Sequence, residues 1–134
     1  MATRRASQRG SSVVESTVVA TVFLLLLVSI TEFARLGFAY NSVSFAAIRA
    51  ARYAAVRGSA SGHTASASDV QATAQSYIDA LDTTQLTVTT TWTPDKNPGS
   101  TVQVKVSYGF KPLLLPISSS LVNVETTARQ IITQ

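Results

Sequence analysis

Apolar residues are concentrated in one continuous run near the amino terminus. Residues 13–30 contain a single charged side chain, Glu15, among mostly aliphatic residues. As an α-helix this run spans roughly 27 Å at ~1.5 Å per residue, close to the ~30 Å hydrocarbon core of a bilayer. Hydroxyl side chains do not forbid a membrane helix, because they can donate to its own carbonyls. Such hydroxyl side chains within the run, or directly after it, include Thr17, Thr21, Ser29 and Thr31. The pattern predicts a transmembrane helix over residues 11–31.

The helical pattern continues over residues 32–57, which contain no proline and many alanines, the best helix formers. Apolar side chains recur there every three or four positions, as one helix face requires: Phe33, Leu36, Tyr40, Val43, Ala47, Ala50 and Ala54. A second apolar set, Phe38, Phe45 and Val56, lies among arginines on the other side. We expect one side to pack on the chain's own head and the other to meet neighbouring subunits, although lipid or a covering loop is the alternative. Gly58 is the expected end of the helix.

Residues 58–134 have the pattern of a small head. Ser68, followed by Asp69 and Gln71, predicts the start of a short helix with a capping box. The apolar face of this helix is expected at Val70, Ala74, Tyr77, Ile78 and Leu81.

Strands are expected in the rest of the head. Two alternating runs, at residues 86–92 and 102–108, flank a turn rich in proline and glycine, so they predict an antiparallel hairpin with one buried face. A third strand is expected over residues 121–132. The apolar residues 113–117 before it either cover the core or form an exposed patch. The predicted class is α+β: a long amino-terminal helix, then a head of one short helix and a three-stranded antiparallel sheet.

Composition excludes several kinds of site. The chain of 134 residues has no cysteine and one histidine, His63, so disulfides, a thiol nucleophile, Cys-ligated metals and two-histidine sites are excluded. No histidine–carboxylate pair is placed to activate a serine, and no Gly-rich phosphate loop is present. Asp79 and Asp82, three positions apart, are expected to be solvated rather than metal-binding. We therefore expect no enzyme activity, no cofactor, no metal and no small-molecule substrate.

The basic excess lies mainly in the first ten residues. Eleven Lys and Arg face seven Asp and Glu, and three of the arginines are Arg4, Arg5 and Arg9. The positive-inside rule then places the amino terminus in the cytoplasm and the head on the other side of a membrane crossed once. Removal of residues 1–10 would leave eight basic side chains against seven acidic ones, so nucleic-acid binding loses its main support.

Glu15 is unusual because an isolated carboxylate in hydrocarbon costs several kcal/mol, on the order of 3 kcal/mol or more at the centre of a bilayer. Reaching water at the interface is one explanation. Another begins with a peptidase cut between Gly10 and Ser11, which would make Glu15 the fifth residue. The new α-amino group would then lie one helical turn away and could neutralise the carboxylate, within a chain or between stacked chains. This arrangement resembles the leader of type IV pilin-like proteins, with Gly10 and Ser11 flanking the prepilin peptidase cut and Glu15 as the assembly glutamate.

Four segments after the apolar run are similar to the TadE-like family, pilin-like proteins of the tight-adherence (Tad) pilus system. They read EFAR (32–35), FAYN (38–41), AAIR (46–49) and ARYAAVRG (51–58). The resemblance covers residues 4–58, and Ala34 stands where family members commonly have Gly. Beyond residue 58 the similarity is one of layout only.

The resemblance implies a pilin-like fold and a division into leader (1–10), transmembrane helix (11–31), helix continuation (32–57) and head (58–134). It implies a minor pilin or pseudopilin that prepilin peptidase trims and that serves pilus assembly, adhesion and secretion. The implied location is the bacterial cytoplasmic membrane or, after assembly, a pilus at the cell surface. Expected partners are membrane lipid, other pilin subunits through the amino-terminal helix, and the peptidase. The residues expected to serve helix packing, on the head or on neighbours, are Phe33, Leu36, Phe38, Tyr40, Val43 and Phe45.

Two alternatives remain open from the sequence. A single-pass anchored binding module would keep residues 1–10 and never enter a filament. A secreted domain would lose the whole apolar segment, for example by cleavage in the small-residue stretch at residues 44–47.

Overall fold

A computed structural model describes the chain over residues 4–78, 80–113 and 122–134, with side chains from residue 10 onward. Its elements in chain order are α1 (Arg4–Ala55), α2 (Ala67–Ser76), a 3-10 turn (Thr83–Gln85), β1 (Leu86–Thr93), β2 (Thr101–Phe110) and β3 (Val122–Ile131). One long helix, one short helix and a three-stranded antiparallel sheet confirm the α+β class. The chain divides into two compact units, Met1–Arg35 and Leu36–Gln134.

The sheet has the order β1-β2-β3, with both pairs antiparallel. Val88 pairs with Val106 in the first ladder and Val104 with Ala128 in the second. Along β2 the burial alternates strictly, and Val102, Val104 and Val106 are fully buried. The period-2 pattern therefore identified the buried face of this hairpin correctly. The third strand is also confirmed, as Val122–Ile131.

Within the second unit, the face that α1 buries is made almost wholly of alanine. Its buried residues lie in the same cluster as the valines of β2: Ala39, Val43, Ala46, Ala47, Ala50, Ala51, Ala54 and Ala55. Small side chains let a helix backbone approach its neighbour closely. The expected stripe was therefore only partly right, because Val43, Ala47, Ala50 and Ala54 are buried whereas Phe33 and Tyr40 are exposed.

α1 ends at Ala55, three residues before the expected glycine. Its last carbonyl accepts from the backbone N–H of Thr133 at 3.0 Å, and the N–H of Ser59 donates to the carbonyl of Lys96 at 2.9 Å. The end of the helix, the β1–β2 turn and the carboxyl-terminal residues thus meet at Gly58. This residue is required for that close approach rather than for ending the helix, since its φ is not positive.

α2 begins two residues earlier than expected, with Ser66 rather than Ser68 as N-cap. The Ser66 hydroxyl accepts from the N–H of Asp69, and the Asp69 carboxylate accepts from the N–H of Ser66, which completes a capping box. Ser68 lies inside the helix, so its assignment as the start was wrong. Val70, Ala74 and Ile78 are buried as expected, while Tyr77 is half exposed.

The connection between β2 and β3 is described only at its start. Leu113 is 74% exposed, so it does not cover the core. Leu114, Leu115 and Ile117 lie outside the described residues.

Candidate functional site

The first candidate site is the apolar surface of α1 over residues 13–30. Every large apolar side chain in this run is exposed, from Val28 at 37% to Val13 at 66%. The stretch Gly10–Ala55 contains a window that is long and apolar enough to cross a membrane, and no part of that window is buried inside the protein. Such a surface is stable only against lipid or other apolar helices.

The hydroxyl side chains of this run are satisfied within the helix, as the sequence predicted. Each donates to the carbonyl four residues earlier at 2.8–2.9 Å: Thr17 to Val13, Thr21 to Thr17, Ser29 to Leu25 and Thr31 to Leu27. Ser16 does the same to Ser12. Because these donors need no water, they do not oppose burial in hydrocarbon.

Glu15 lies on the exposed surface of α1, on the same stretch as Ser12, Ser16 and Val19. Among residues with described side chains, none of the ion pairs includes it. The hydroxyl of Ser16 is already donated to a backbone carbonyl, so it does not serve the carboxylate. Glu15 is therefore the one ionisable side chain in the apolar run, and no described side chain forms an ion pair with it.

Gly10 lies within α1, and the helix continues through the bond between Gly10 and Ser11. A Cβ added at Gly10 would meet nothing within 4 Å, and its φ is not positive. Glycine in a helix interior costs about 1 kcal/mol relative to alanine. Neither packing nor backbone geometry therefore accounts for glycine at this position.

The charges that follow the apolar run neutralise each other locally. The Arg35 guanidinium lies 2.8 Å from the Glu32 carboxylate, one helical turn away.

The six residues expected to serve helix packing have different environments in this single chain. Val43 is buried in the head, and Leu36 is partly buried against the same core. Phe33, Phe38, Tyr40 and Phe45 are exposed by 79%, 53%, 55% and 46%. Only these four are therefore available to a neighbouring molecule, whereas Val43 is occupied by the chain's own core.

A second candidate is a cavity of about 590 Å³ at the carboxyl-terminal end of α1. Its lining includes Tyr53, Arg57, His63, Asp69 and Gln134. The Arg57 guanidinium covers the Tyr53 ring at 3.9 Å. His63 is exposed, as expected for a solvated residue. The lining carries charges of both signs, so it defines no single class of ligand.

The aspartates of the head act as local caps. The Ser66 hydroxyl and backbone lower the pKa of Asp69, those of Thr84 lower the pKa of Asp82, and the Ser100 hydroxyl with the Asn97 N–H lowers the pKa of Asp95. In each case a donor stabilises the ionised carboxylate. Asp79 lies outside the described residues. Within the described ranges no three acidic or histidine side chains form a group able to hold a metal ion.

These features define a class: a small α+β protein whose long amino-terminal helix is apolar enough to cross a membrane and carries one carboxylate near its start. Residues 10–52 match the family model described as TadE-like protein. The TadE-like resemblance is thereby confirmed over that segment, which is less than half of the chain and includes Gly10, Ser11 and Glu15. A TadE-like domain indicates involvement with the Tad pilus system. No curated protein and no solved structure matches the chain.

Proposed function

We propose that the protein is a minor pilin or pseudopilin of a Tad-type pilus, cut between Gly10 and Ser11 by prepilin peptidase and assembled through α1. The observation that carries the proposal is the single carboxylate of Glu15 on an otherwise apolar, wholly exposed helix surface, five positions after Gly10 in the TadE-like segment. In the cell the helix crosses the cytoplasmic membrane with the head outside, and assembly serves adhesion or secretion.

Compensation of Glu15 supports the cut. Cleavage turns the amide nitrogen of Ser11 into an ammonium group one helical turn from Glu15, because successive turns bring residues i and i+4 together. An ammonium and a carboxylate in a low-dielectric environment attract strongly and relieve the cost of burying either alone. The same pair can form between neighbouring chains, which makes Glu15 a register residue.

Gly10 also supports the cut. The described part of the fold gives it no steric or conformational reason to be glycine, which agrees with a role in recognition by the peptidase. A peptidase must open the helix at the scissile bond to reach it, and glycine lowers the cost of that opening by about 1 kcal/mol relative to alanine.

The secreted alternative is disfavoured by the position of its cleavage site. Ala46 and Ala47 are fully buried in the core of the second unit. A cut there would remove Ala39 and Val43 from the same core, together with the strands' packing partner on that side. The anchored binding module differs from our proposal in keeping residues 1–10.

Intact mass spectrometry of the protein extracted from membranes of its own host tests the proposal. We expect a chain that begins at Ser11, and a Gly10→Ala variant that retains residues 1–10. A native chain beginning at Met1 or at residue 2 would leave the anchored module as the function, and one beginning near Ala46 would leave the secreted domain.

Glu15→Gln tests the register role separately. We expect normal insertion and cleavage but at least tenfold less protein in sheared surface filaments or in cross-linked pilin complexes, because the neutral side chain cannot attract the ammonium group. Glu125→Gln is the matched control, since Glu125 is exposed on β3 and pairs only with Lys105 at 2.8 Å. Equal incorporation of the Glu15→Gln and Glu125→Gln variants would contradict the role of Glu15.

A further inference from the structure

A row of six residues, five on α1 and the last, Val56, directly after its end, has the spacing of a coiled-coil seam. Phe38, Ser42, Phe45, Arg49, Arg52 and Val56 are separated by 4, 3, 4, 3 and 4 positions, and we call them the outer row. Side chains repeating in this way line one edge of a helix and pack against a second helix. All six belong to the unit Leu36–Gln134.

The outer row is exposed although three of its members are large and apolar. Phe38, Phe45 and Val56 are exposed by about half, and both arginines are exposed. The alanine face elsewhere on the same helix fills the core, and the described part of the chain leaves about half of each apolar side chain of the outer row exposed. Exposed apolar side chains at seam spacing indicate a docking surface for a helix.

The two charged residues of the outer row, Arg49 and Arg52, are both positive. The Arg49 guanidinium lies 4.9 Å from the centre of the Phe45 ring and 5.9 Å from that of Tyr77. The Phe45 and Tyr77 rings meet edge to face with their centres 5.6 Å apart, and the Arg49 guanidinium lies close to both. The sequence from residue 33 to residue 68 contains no Asp or Glu, so nothing along this stretch of α1 offsets Arg49 and Arg52.

A second copy of the chain does not match this surface. Copies anchored by residues 13–30 in one membrane run parallel, and in register they place Arg49 and Arg52 beside the same arginines, which repel. The nearest carboxylate on the helix is Glu32, 17 positions before Arg49, so a copy would have to shift by roughly 26 Å at ~1.5 Å per residue to use it. Glu32 is also already paired with Arg35.

The described carboxylates of the head do not supply a match either. Asp69, Asp82 and Asp95 lie at turns and caps and accept local hydrogen bonds, and Glu125 pairs with Lys105 on the sheet. None of them lies in a helical row with apolar neighbours that could face the outer row.

We infer that the outer row binds a helix of a different protein, one that carries apolar side chains and at least two carboxylates at seam spacing. Arg49 and Arg52 would pair with those carboxylates while Phe38, Phe45 and Val56 pack against the apolar positions. Charged residues within a seam determine which partner is accepted, because a wrong charge is left unpaired or repelled. The inference goes beyond the proposed function and concerns partner choice; it depends on membrane anchoring but not on cleavage at Gly10.

Photocrosslinking in the producing host tests the inference on the full chain. A benzophenone-bearing phenylalanine replaces Phe45 in one variant and Phe38 in another, since Phe38 is exposed and less involved in the fold. Ile131, exposed at 64% on β3, is the control position. We expect both helix positions to cross-link to one other protein, with the attached peptide rich in Asp or Glu at helical spacing, and Ile131 not to cross-link to it.

Charge reversal then tests the specificity. Arg49→Glu combined with Arg52→Glu should lower the cross-linked yield at least tenfold. Arg129→Glu, a reversal on the exposed face of the sheet, should leave it unchanged. Exchanging the partner's two carboxylates for arginines should restore the yield with the reversed variant. Near-ultraviolet circular dichroism around Trp92 confirms that each variant is folded.

Several outcomes would overturn the inference: cross-links to a second copy, to lipid or to a peptide without carboxylates, no cross-link from either folded helix variant, or a yield that charge reversal leaves unchanged. The mass of the mature chain is measured on the same sample. If the mature chain starts at Ser11 but no acidic partner is cross-linked, this inference is overturned and the proposed cleavage stands. If the chain keeps residues 1–10 and the acidic partner is still cross-linked, only the proposed cleavage is overturned.

Discussion

Gly58→Ala is expected to destabilise the unit Leu36–Gln134 strongly, although the substitution adds a single methyl group. A Cβ at this position would lie 2.7 Å from the carbonyl oxygen of Lys96, and closer still to the Gln134 carbonyl oxygen and the Ile132 Cγ2. Two of these three atoms belong to the backbone, so no rotation of a side chain relieves the overlap. Three segments of the chain would have to move apart.

The magnitude follows from what holds those segments together. Overpacking of one methyl group in a tight site costs about 1–3 kcal/mol. Separation also weakens the hydrogen bonds from Ser59 N to Lys96 O and from Thr133 N to Ala55 O, each worth about 1 kcal/mol net. We expect a loss of about 3 kcal/mol in the free energy of unfolding. For a unit of this size that is a fall in Tm of roughly 12–24 °C.

The assay is thermal unfolding of the full chain in detergent micelles, followed by the fluorescence of Trp92. Trp92 is the only tryptophan and lies in β1 with the Lys96 ammonium 4.2 Å from its ring, so it reports on the segment that Gly58 touches. Gly37→Ala is the matched control, because Gly37 is helical and a Cβ there meets nothing within 4 Å. We expect this control to be neutral or stabilising by up to about 1 kcal/mol. Equal Tm values for the two variants would refute the reasoning.

Two further predictions concern the head. Thr90→Val should raise the free energy of unfolding by about 1 kcal/mol, since the Thr90 hydroxyl is buried and has no hydrogen-bond partner among the described residues. Denaturant unfolding measures the change, and Thr89→Val on the exposed face is the control. A lower free energy of unfolding for Thr90→Val would contradict the assignment. The pKa values of Asp69, Asp82 and Asp95 are lowered by hydrogen bonds, so their stabilising effect is complete above the unfolded-state pKa of ~3.9 and is lost as the pH falls through the lower folded-state values. Tm should therefore change little on this account between about pH 7 and 5 and fall below about pH 4, with a shallower fall for Asp95→Asn; a Tm that rises on acidification from pH 4 to 3 would show that the pKa directions are wrong.

Much of the sheet could be predicted from the sequence because burial in a strand follows a period of two. Val102, Val104 and Val106 alternate with polar residues, and a one-residue shift would bury the wrong set. The start of α2 was predicted wrongly because two overlapping pairs, Ser66 with Asp69 and Ser68 with Gln71, both have the spacing of a capping box. The structure contains the first. Local spacing alone does not decide between such pairs.

Gly58 illustrates what local sequence cannot show. Its neighbours Lys96, Ile132 and Gln134 are distant in the chain, so the need for glycine arises only when three segments meet. The sequence pattern indicated a helix end nearby, which was nearly right in position, but the physical reason was different. Similarly, the candidate site residues Gly10 and Glu15 could be found from sequence because their signal lies in spacing along one helix, whereas the cavity beside Arg57 depends on tertiary contacts that have no local pattern.

The choice of face on α1 has a consequence for function. Hydrophobicity alone would turn the largest side chains inward, yet the helix buries Ala39, Ala46 and Ala50 and leaves Phe38 and Phe45 exposed. Burying a phenylalanine contributes about 1.5–3 kcal/mol, far more than burying an alanine methyl. A helix adapted only to its own head would gain from the opposite arrangement. The exposed phenylalanines, and the arginines interleaved with them, are the observations that support our proposal of a protein partner bearing carboxylates.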